Sequence, residues 1–372
     1  MPGISGSWRA PSSAPATSRC FRTRGARAPS LALGQAVSRL LVPGWRSALL
    51  ALFAFLVLPD FPSALRSVVP ITETWILLAA ALAVCAALGW WNGGGAWLAV
   101  VAIILGWYAA TSPVGPGPGS YRSLVHGWAL LLAASFGLAS LLTPGEKFLI
   151  RALSALGIAT VVAFAVTIAT PDGIPAVRSA MKAEINRRTD ETVAVVNDMA
   201  ASPVWQRAVA RSPSLDSMVK SNEADLRTIA GRSTRTVPAL VALESLLALA
   251  LAWVIYHRVA TADLGPVLGA VKQFRFNDQL IWGLAVGATI FFLPVFADGR
   301  DAGLNLLVFF GALYLFRGVG VLSFMTRGKW AATLLIVMTI FAPLLLGALA
   351  LGVGVGDTWM DWRTRANVDT TR

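Results

Sequence analysis

The chain has 372 residues, 56% of them apolar and only 13% charged, with a mean hydropathy of +0.66. A soluble domain carries about 25% charged residues, so this composition excludes a surface that faces water all round, and two cysteines, Cys20 and Cys85, exclude a disulfide framework or a cysteine metal site. The net charge of +12 is concentrated at the start: Arg9, Arg19, Arg22, Arg24, Arg27, Arg39 and Arg46 all precede the first acidic residue, Asp60. That placement points to membrane topology rather than to nucleic acid.

Residues 1–44 are rich in Arg, Ser, Pro and Ala and have no hydrophobic period long enough to fold alone, so they read as a disordered basic cytoplasmic tail. An acid-free, Arg- and Ser-rich start also resembles an organelle transit peptide; the bacterial tail is the preferred reading. Apolar runs follow at Ala48 to Leu58, Thr74 to Trp91, Ala96 to Thr111, Leu124 to Leu142 and Phe148 to Ala169. About 20 helical residues cross a bilayer's hydrocarbon, so these runs form an N-terminal membrane block over 45–169 of about five spans, the first of them short. Turn chemistry separates the later ones, as in Asn92-Gly-Gly-Gly95 and Thr143-Pro-Gly-Glu-Lys147.

From 170 to 236 the chain turns polar. Val177, Met181, Ile185, Val196 and Met199, and then Leu215, Met218, Val219, Leu226 and Ile229, recur near helical spacing. Two or three amphipathic helices are expected here, as an extracytoplasmic insert. Runs at Val237 to Tyr256, Leu280 to Phe296, Leu304 to Met325 and Ala331 to Gly354 then form a C-terminal membrane block over 237–356, and a short tail covers 357–372. The expected fold is all-α: a polytopic helical membrane protein with about nine (eight to nine) transmembrane helices.

With the N-terminus in the cytoplasm, the short inner loops receive Lys147, Arg151, His257, Arg258, Lys272, Arg275, Arg327 and Lys329, against Arg66, Arg122 and Arg300 on the opposite side. The excess of inner Lys and Arg favours this orientation in a bacterial cytoplasmic (inner) membrane and places the insert outside.

A charge inside a span costs about 2.5–3.5 kcal/mol on insertion scales and asks for a reason. Glu244 and Arg317 lie inside apolar runs, and Asn305 is a further polar group there; the three form a candidate intramembrane polar site. Their depths leave Glu244 and Arg317 about 9 Å apart along the membrane normal, which two long side chains can narrow. The only histidines, His126 and His257, stand at span ends, and no His-Glu-x-x-His appears. No catalytic residue, metal site or cofactor is therefore expected. Small residues repeat at four-residue spacing in Ala79, Ala83, Ala87 and in Ala129, Ala133, Gly137, which allows close helix approach.

Four stretches of the C-terminal half carry a resemblance: Val241 to Trp253, Phe274-Arg-Phe-Asn-Asp-Gln-Leu-Ile-Trp282, Leu304 to Gly318 and Gly356-Asp-Thr-Trp-Met-Asp-Trp-Arg363. Together they resemble the YybS-like family of bacterial multi-pass membrane proteins. The motif residues are Phe276, Asn277, Asp278, Trp282, Gly318, Asp357, Trp359, Asp361 and Arg363. Asn277 and Asp278 precede an apolar run, where short polar side chains cap helix N–H groups; Asp357 and Asp361, four apart, would share a helix face. The family is distantly similar to the substrate-capture subunits of energy-coupling-factor vitamin transporters. Those subunits carry an Ala-x-x-x-Ala pattern in the first span, which here occurs only in the second run.

The leading functional expectation is a permease-like or substrate-capture membrane component for a small molecule, and not an enzyme. The alternative is a non-enzymatic sensor or scaffold acting in envelope assembly through the insert. Expected partners are the lipid bilayer, a small-molecule ligand and a membrane or envelope protein; nucleic acid is not expected.

Overall fold

A computed structural model describes residues 45–59, 68–115, 119–212, 214–260, 262–269, 271, 274–325 and 341–362, with single positions at 333, 337 and 338. The tail 1–44, Arg66, Lys272, Arg327, Lys329 and Arg363 lie outside the described residues.

Eleven α-helices and no strand are found among the described residues: α1 (Trp45–Val57), α2 (Thr74–Trp91), α3 (Ala96–Thr111), α4 (Gly119–Leu142), α5 (Phe148–Ala169), α6 (Gly173–Ala201), α7 (Pro203–Arg211), α8 (Ser214–Val259), α9 (Ile281–Phe292), α10 (Arg300–Met325) and α11 (Pro343–Met360). Short 3-10 turns flank α9 at Asp278–Leu280 and Pro294–Gly299. Six helices are long and apolar enough to cross a membrane and three shorter ones are apolar. The protein is a polytopic all-helical membrane protein. Its lipid-facing surface fits that medium: Ile103, Trp107, Val161 and Phe164 are exposed on helix faces that water would not tolerate in such density.

Because lipid is as apolar as leucine, helices in a bilayer associate through close packing and internal hydrogen bonds. α2 buries Ala79, Ala80, Ala81 and Ala86, and at Gly89 an added Cβ would fall on the Tyr256 phenol of α8. Ala129 is buried and Gly137 has 3.0 Å between an added Cβ and Val84. Ala83, Ala87 and Ala133 have another use: with Trp90, Ala99 and Gly106 they line an apolar groove of about 350 Å³ between α2, α3 and α4. At the end of the bundle opposite the insert, Phe136, Phe148 and Trp253 stack within 6.1 Å of one another. The segment after α8 is tied to them by Trp253 Nε1 to Pro266 O (3.2 Å), Arg151 Nη1 to Leu264 O (2.7 Å) and Tyr256 Oη to Ala262 O (3.1 Å).

Two expectations need correction. The first is the boundary at 236/237: α8 runs unbroken for 46 residues, from the insert into the bundle. Its outer half pairs antiparallel with α6, through a cluster of Ile185, Ala230 and Val237 against which Met181 and Val241 pack, and through Asp190 against Arg227 (2.9 Å). The insert is therefore a helical hairpin, and the 25 residues from Ser214 to Pro238 extend about 36 Å. The second is the final run, Ala331 to Gly354, which is not one helix. Ala342 leaves helical geometry at φ −142, ψ 57, and Pro343 opens α11 at a position where its missing N–H is not needed.

Candidate functional site

The three polar residues expected to share a site stand in three places. Asn305 of α10 sits beside the proline inside α8. In an unbroken helix the Ala239 N–H would bond the Arg235 carbonyl; next to Pro238 the Asn305 amide bridges the two instead. It accepts from Ala239 N (2.9 Å), donates to Arg235 O (2.8 Å) and gives its second hydrogen to Asp301 O (2.6 Å). Asn305→Ala should destabilise the protein by about 1–3 kcal/mol, the penalty for stranding the N–H of buried Ala239, and by much less in a Pro238→Ala background where α8 can close its own bond. Equal losses in both backgrounds, measured by unfolding in mixed micelles, would exclude the bridge.

Arg317 is buried completely and is the centre of the second place. Its Nε donates to Asp357 Oδ2 (3.0 Å), its Nη2 to the Asp357 carbonyl (3.2 Å) and its Nη1 to Asp278 Oδ1 (2.6 Å). The guanidinium also lies 5.3 Å over the Phe276 ring, which packs edge-on against Tyr314 at 5.0 Å. Backbone contact positions these groups: an added Cβ at Gly318 would collide with the Ala350 carbonyl oxygen, and one at Gly354 with the Tyr314 carbonyl oxygen. With no side chain at either glycine, α10 and α11 touch and Asp357 reaches Arg317. Phe276, Asp278, Gly318 and Asp357 thus converge on one arginine, although they are scattered along the sequence. Their arrangement holds α9, α10 and α11 together, and the Arg317 fork is engaged on Nε and both terminal nitrogens.

The other motif residues take local roles. Asn277 caps the 3-10 turn, its side chain accepting from Gln279 N at 3.0 Å. Trp282 and Trp359 are exposed. Asp361 does not share a face with Asp357 as expected, because α11 ends at Met360 and Asp361 turns left-handed at φ 42. It pairs with Arg275 at 3.2 Å instead.

Glu244 defines the third place, and it does not meet Arg317. Both of its carboxylate oxygens are enclosed without a hydrogen-bond partner. The Ile71 N–H is directed towards them short of bonding geometry, and Arg188 and Glu73 are the charges that act on them. Arg188, buried on α6, was not singled out by the sequence reading. It donates from Nε to Glu184 (2.7 Å), from Nη1 to the Val69 and Pro70 carbonyls (3.0 and 3.3 Å) and from Nη2 to Tyr121 Oη (2.6 Å). The Tyr121 hydroxyl in turn faces Glu73 Oε2 (3.0 Å) and Pro70 O (3.1 Å). A signal was present: Met181, Glu184, Ile185, Arg188 and Thr192 fall on one face of the helix, so a charged pair sits within an apolar stripe.

Burial alone would raise the Glu184 carboxyl, but the hydrogen bonds from Arg187 and the charge of Arg188 outweigh it and hold it below the usual carboxylate value. A carboxyl lowered in the folded state adds stability that is fully present above its ordinary range and is lost as pH falls through the lowered value. The docking of α6 should therefore be constant from neutral pH down to the ordinary carboxylate range and weaken only in stronger acid. Proteolysis of the arm across pH measures this, and Glu184→Gln should flatten the acid limb; an unchanged limb in that variant would show that another group governs it.

Among the described residues no group of three or more His, Cys, Asp or Glu side chains is placed to hold a metal. The model of the family described as "Predicted membrane protein (DUF2232)" matches residues 128–358. The chain belongs to the DUF2232 family. No curated protein and no solved structure matches it. The DUF2232 stretch begins within α4 and runs almost to the end of α11, so it contains the arm, Glu244, Asn305 and the Arg317 centre. Glu73 and Tyr121 precede it, and Trp359, Asp361 and Arg363 follow it.

Proposed function

We propose that this protein is a non-enzymatic membrane scaffold or sensor that meets a partner through its helical arm, with the arm outside a bacterial cytoplasmic membrane and the N-terminus inside. The observation that carries the reading is the continuity of α8, which joins the arm to the bundle without a flexible link. Val195, Met199, Val204 and Met218 are exposed towards the free end of the arm, whereas Asn305 and Arg317, two of the three polar groups on which a carrier would depend, are occupied in holding helices together. The orientation rests on the inner excess of Lys and Arg in the short loops.

Photocrosslinking in intact cells tests both parts. A crosslinker at Met218 should give a discrete protein adduct that Val204→Glu weakens, and one at lipid-facing Val161 should not. A cysteine at Ser214 should react with an impermeant reagent from outside, and one at Gly269 should be spared. Adducts equal at the two positions would overturn the scaffold reading, and reversed labelling would overturn the orientation.

A permease-like or substrate-capture role is the second reading. The enclosed, unpartnered carboxylate of Glu244 favours it, since intramembrane acids commonly mark pathways for solutes or ions, as does the YybS-like resemblance of the C-terminal half. Solute-dependent stabilisation of a chain lacking the arm's free end would select this reading over the first.

A further inference from the structure

We propose that Glu244 is a proton-binding site at the root of the arm, filled from the aqueous phase on the arm's side. The contacts around α6 link two cations, Arg187 and Arg188, to four acids, Glu73, Glu184, Glu191 and Glu244. Arg187 is taken by Glu184 and Glu191. Arg188 spends its Nε on Glu184 and its terminal nitrogens on two carbonyls and Tyr121, and it stays 3.9 Å from Glu73. No cation hydrogen-bonds Glu244, on which Arg188 acts only through space, and its neighbour Ser245 is engaged by Trp128 Nε1 at 2.8 Å.

An ionised carboxylate enclosed with no completed hydrogen bond is a costly arrangement in a protein interior. A metal ion would need several oxygen ligands, and no cluster of three or more acidic, His or Cys groups is formed among the described residues. A proton needs one oxygen. The step is the simplest possible: the carboxylate takes H⁺ from water and becomes a carboxylic acid, with no other bond made or broken. The charged groups that face the site are Arg188 from α6 and Glu73 from the segment ahead of α2, with the Tyr121 phenol of α4 held between those two. Glu73 is partly exposed, which gives the proposed proton a way in from water. The proposal stands independently of whether the chain recruits a partner or moves a solute.

Infrared spectroscopy of the full-length purified protein in detergent tests it. The wild type should show a carbonyl band of a protonated carboxyl near neutral pH that shifts in D₂O. That band should be lost entirely in Glu244→Gln and kept in Glu73→Gln. Absence of the band in the wild type, its survival in Glu244→Gln, or its loss in Glu73→Gln alone would each overturn the assignment. The wild-type spectrum decides the first of these even if a variant fails to fold.

Discussion

Arg317→Ala should destabilise the protein by about 3–5 kcal/mol, the usual penalty for removing one member of a buried ion pair. The loss has two parts. Asp357, itself buried, keeps its charge with its principal cation gone, and α9 loses its tether through Asp278. Arg317→Lys should recover only a fraction, because an ammonium is a point charge and cannot serve Asp278, the Asp357 carboxylate and the Asp357 carbonyl in the geometry of a guanidinium fork. A triple replacement of Arg317, Asp278 and Asp357 by Met, Asn and Leu should be milder than Arg317→Ala alone, since no bare charge remains. Steric trapping or unfolding in mixed micelles provides the measurement. A loss under about 1 kcal/mol for Arg317→Ala, the range of an exposed pair, would mean that water reaches the guanidinium and that the centre does not hold the three helices.

Gly318→Ala should cost about 3 kcal/mol, at the upper end for overpacking, because the group that would have to move is backbone and not a flexible side chain. The added methyl would meet the Ala350 carbonyl oxygen, and separating α10 from α11 would also draw Asp357 away from Arg317. Gly354→Ala should act alike through the Tyr314 carbonyl, and the two together should cost less than the sum, since the first substitution already opens the contact. Gly311→Ala is the control: nothing lies within 4 Å of an added Cβ there, and helix propensity alone predicts a small gain. If Gly318→Ala and Gly311→Ala behave equally, the close approach of α10 and α11 is not present in the membrane.

The apolar runs made the membrane helices legible because hydrocarbon thickness imposes a length on them; α2, α3 and α5 have the bounds of their runs. What was not legible has physical causes. The change from polar to apolar pattern suggested a boundary at 236/237, yet α8 passes through it and through Pro238, because Asn305 supplies what the proline interrupts from 66 residues away. Arg317 finds its partners 39 and 40 residues away, and depth along the membrane normal says nothing about which face of a helix meets which neighbour. That is why Glu244 was paired with the wrong charge. Phe276, Asp278, Gly318 and Asp357 stood among nine motif residues of the resemblance, and nothing in their spacing indicated Arg317 as the common partner of these four. Arg188 was passed over because a charge in a polar stretch is ordinarily solvated; only its position on the apolar stripe of α6 marks it.

The single helix α8 has a mechanical consequence. A rod held in the bundle below Pro238 and paired with α6 above it amplifies small rotations of the arm: a tilt of about 10° at the proline carries Ser214 sideways by about 6 Å. The leverage works in both directions. A load on the arm's free end applies torque at the Asn305 bridge and, one helical turn or two further in, at Glu244, so displacement outside the membrane and the state of the buried carboxyl are expressed along the same axis.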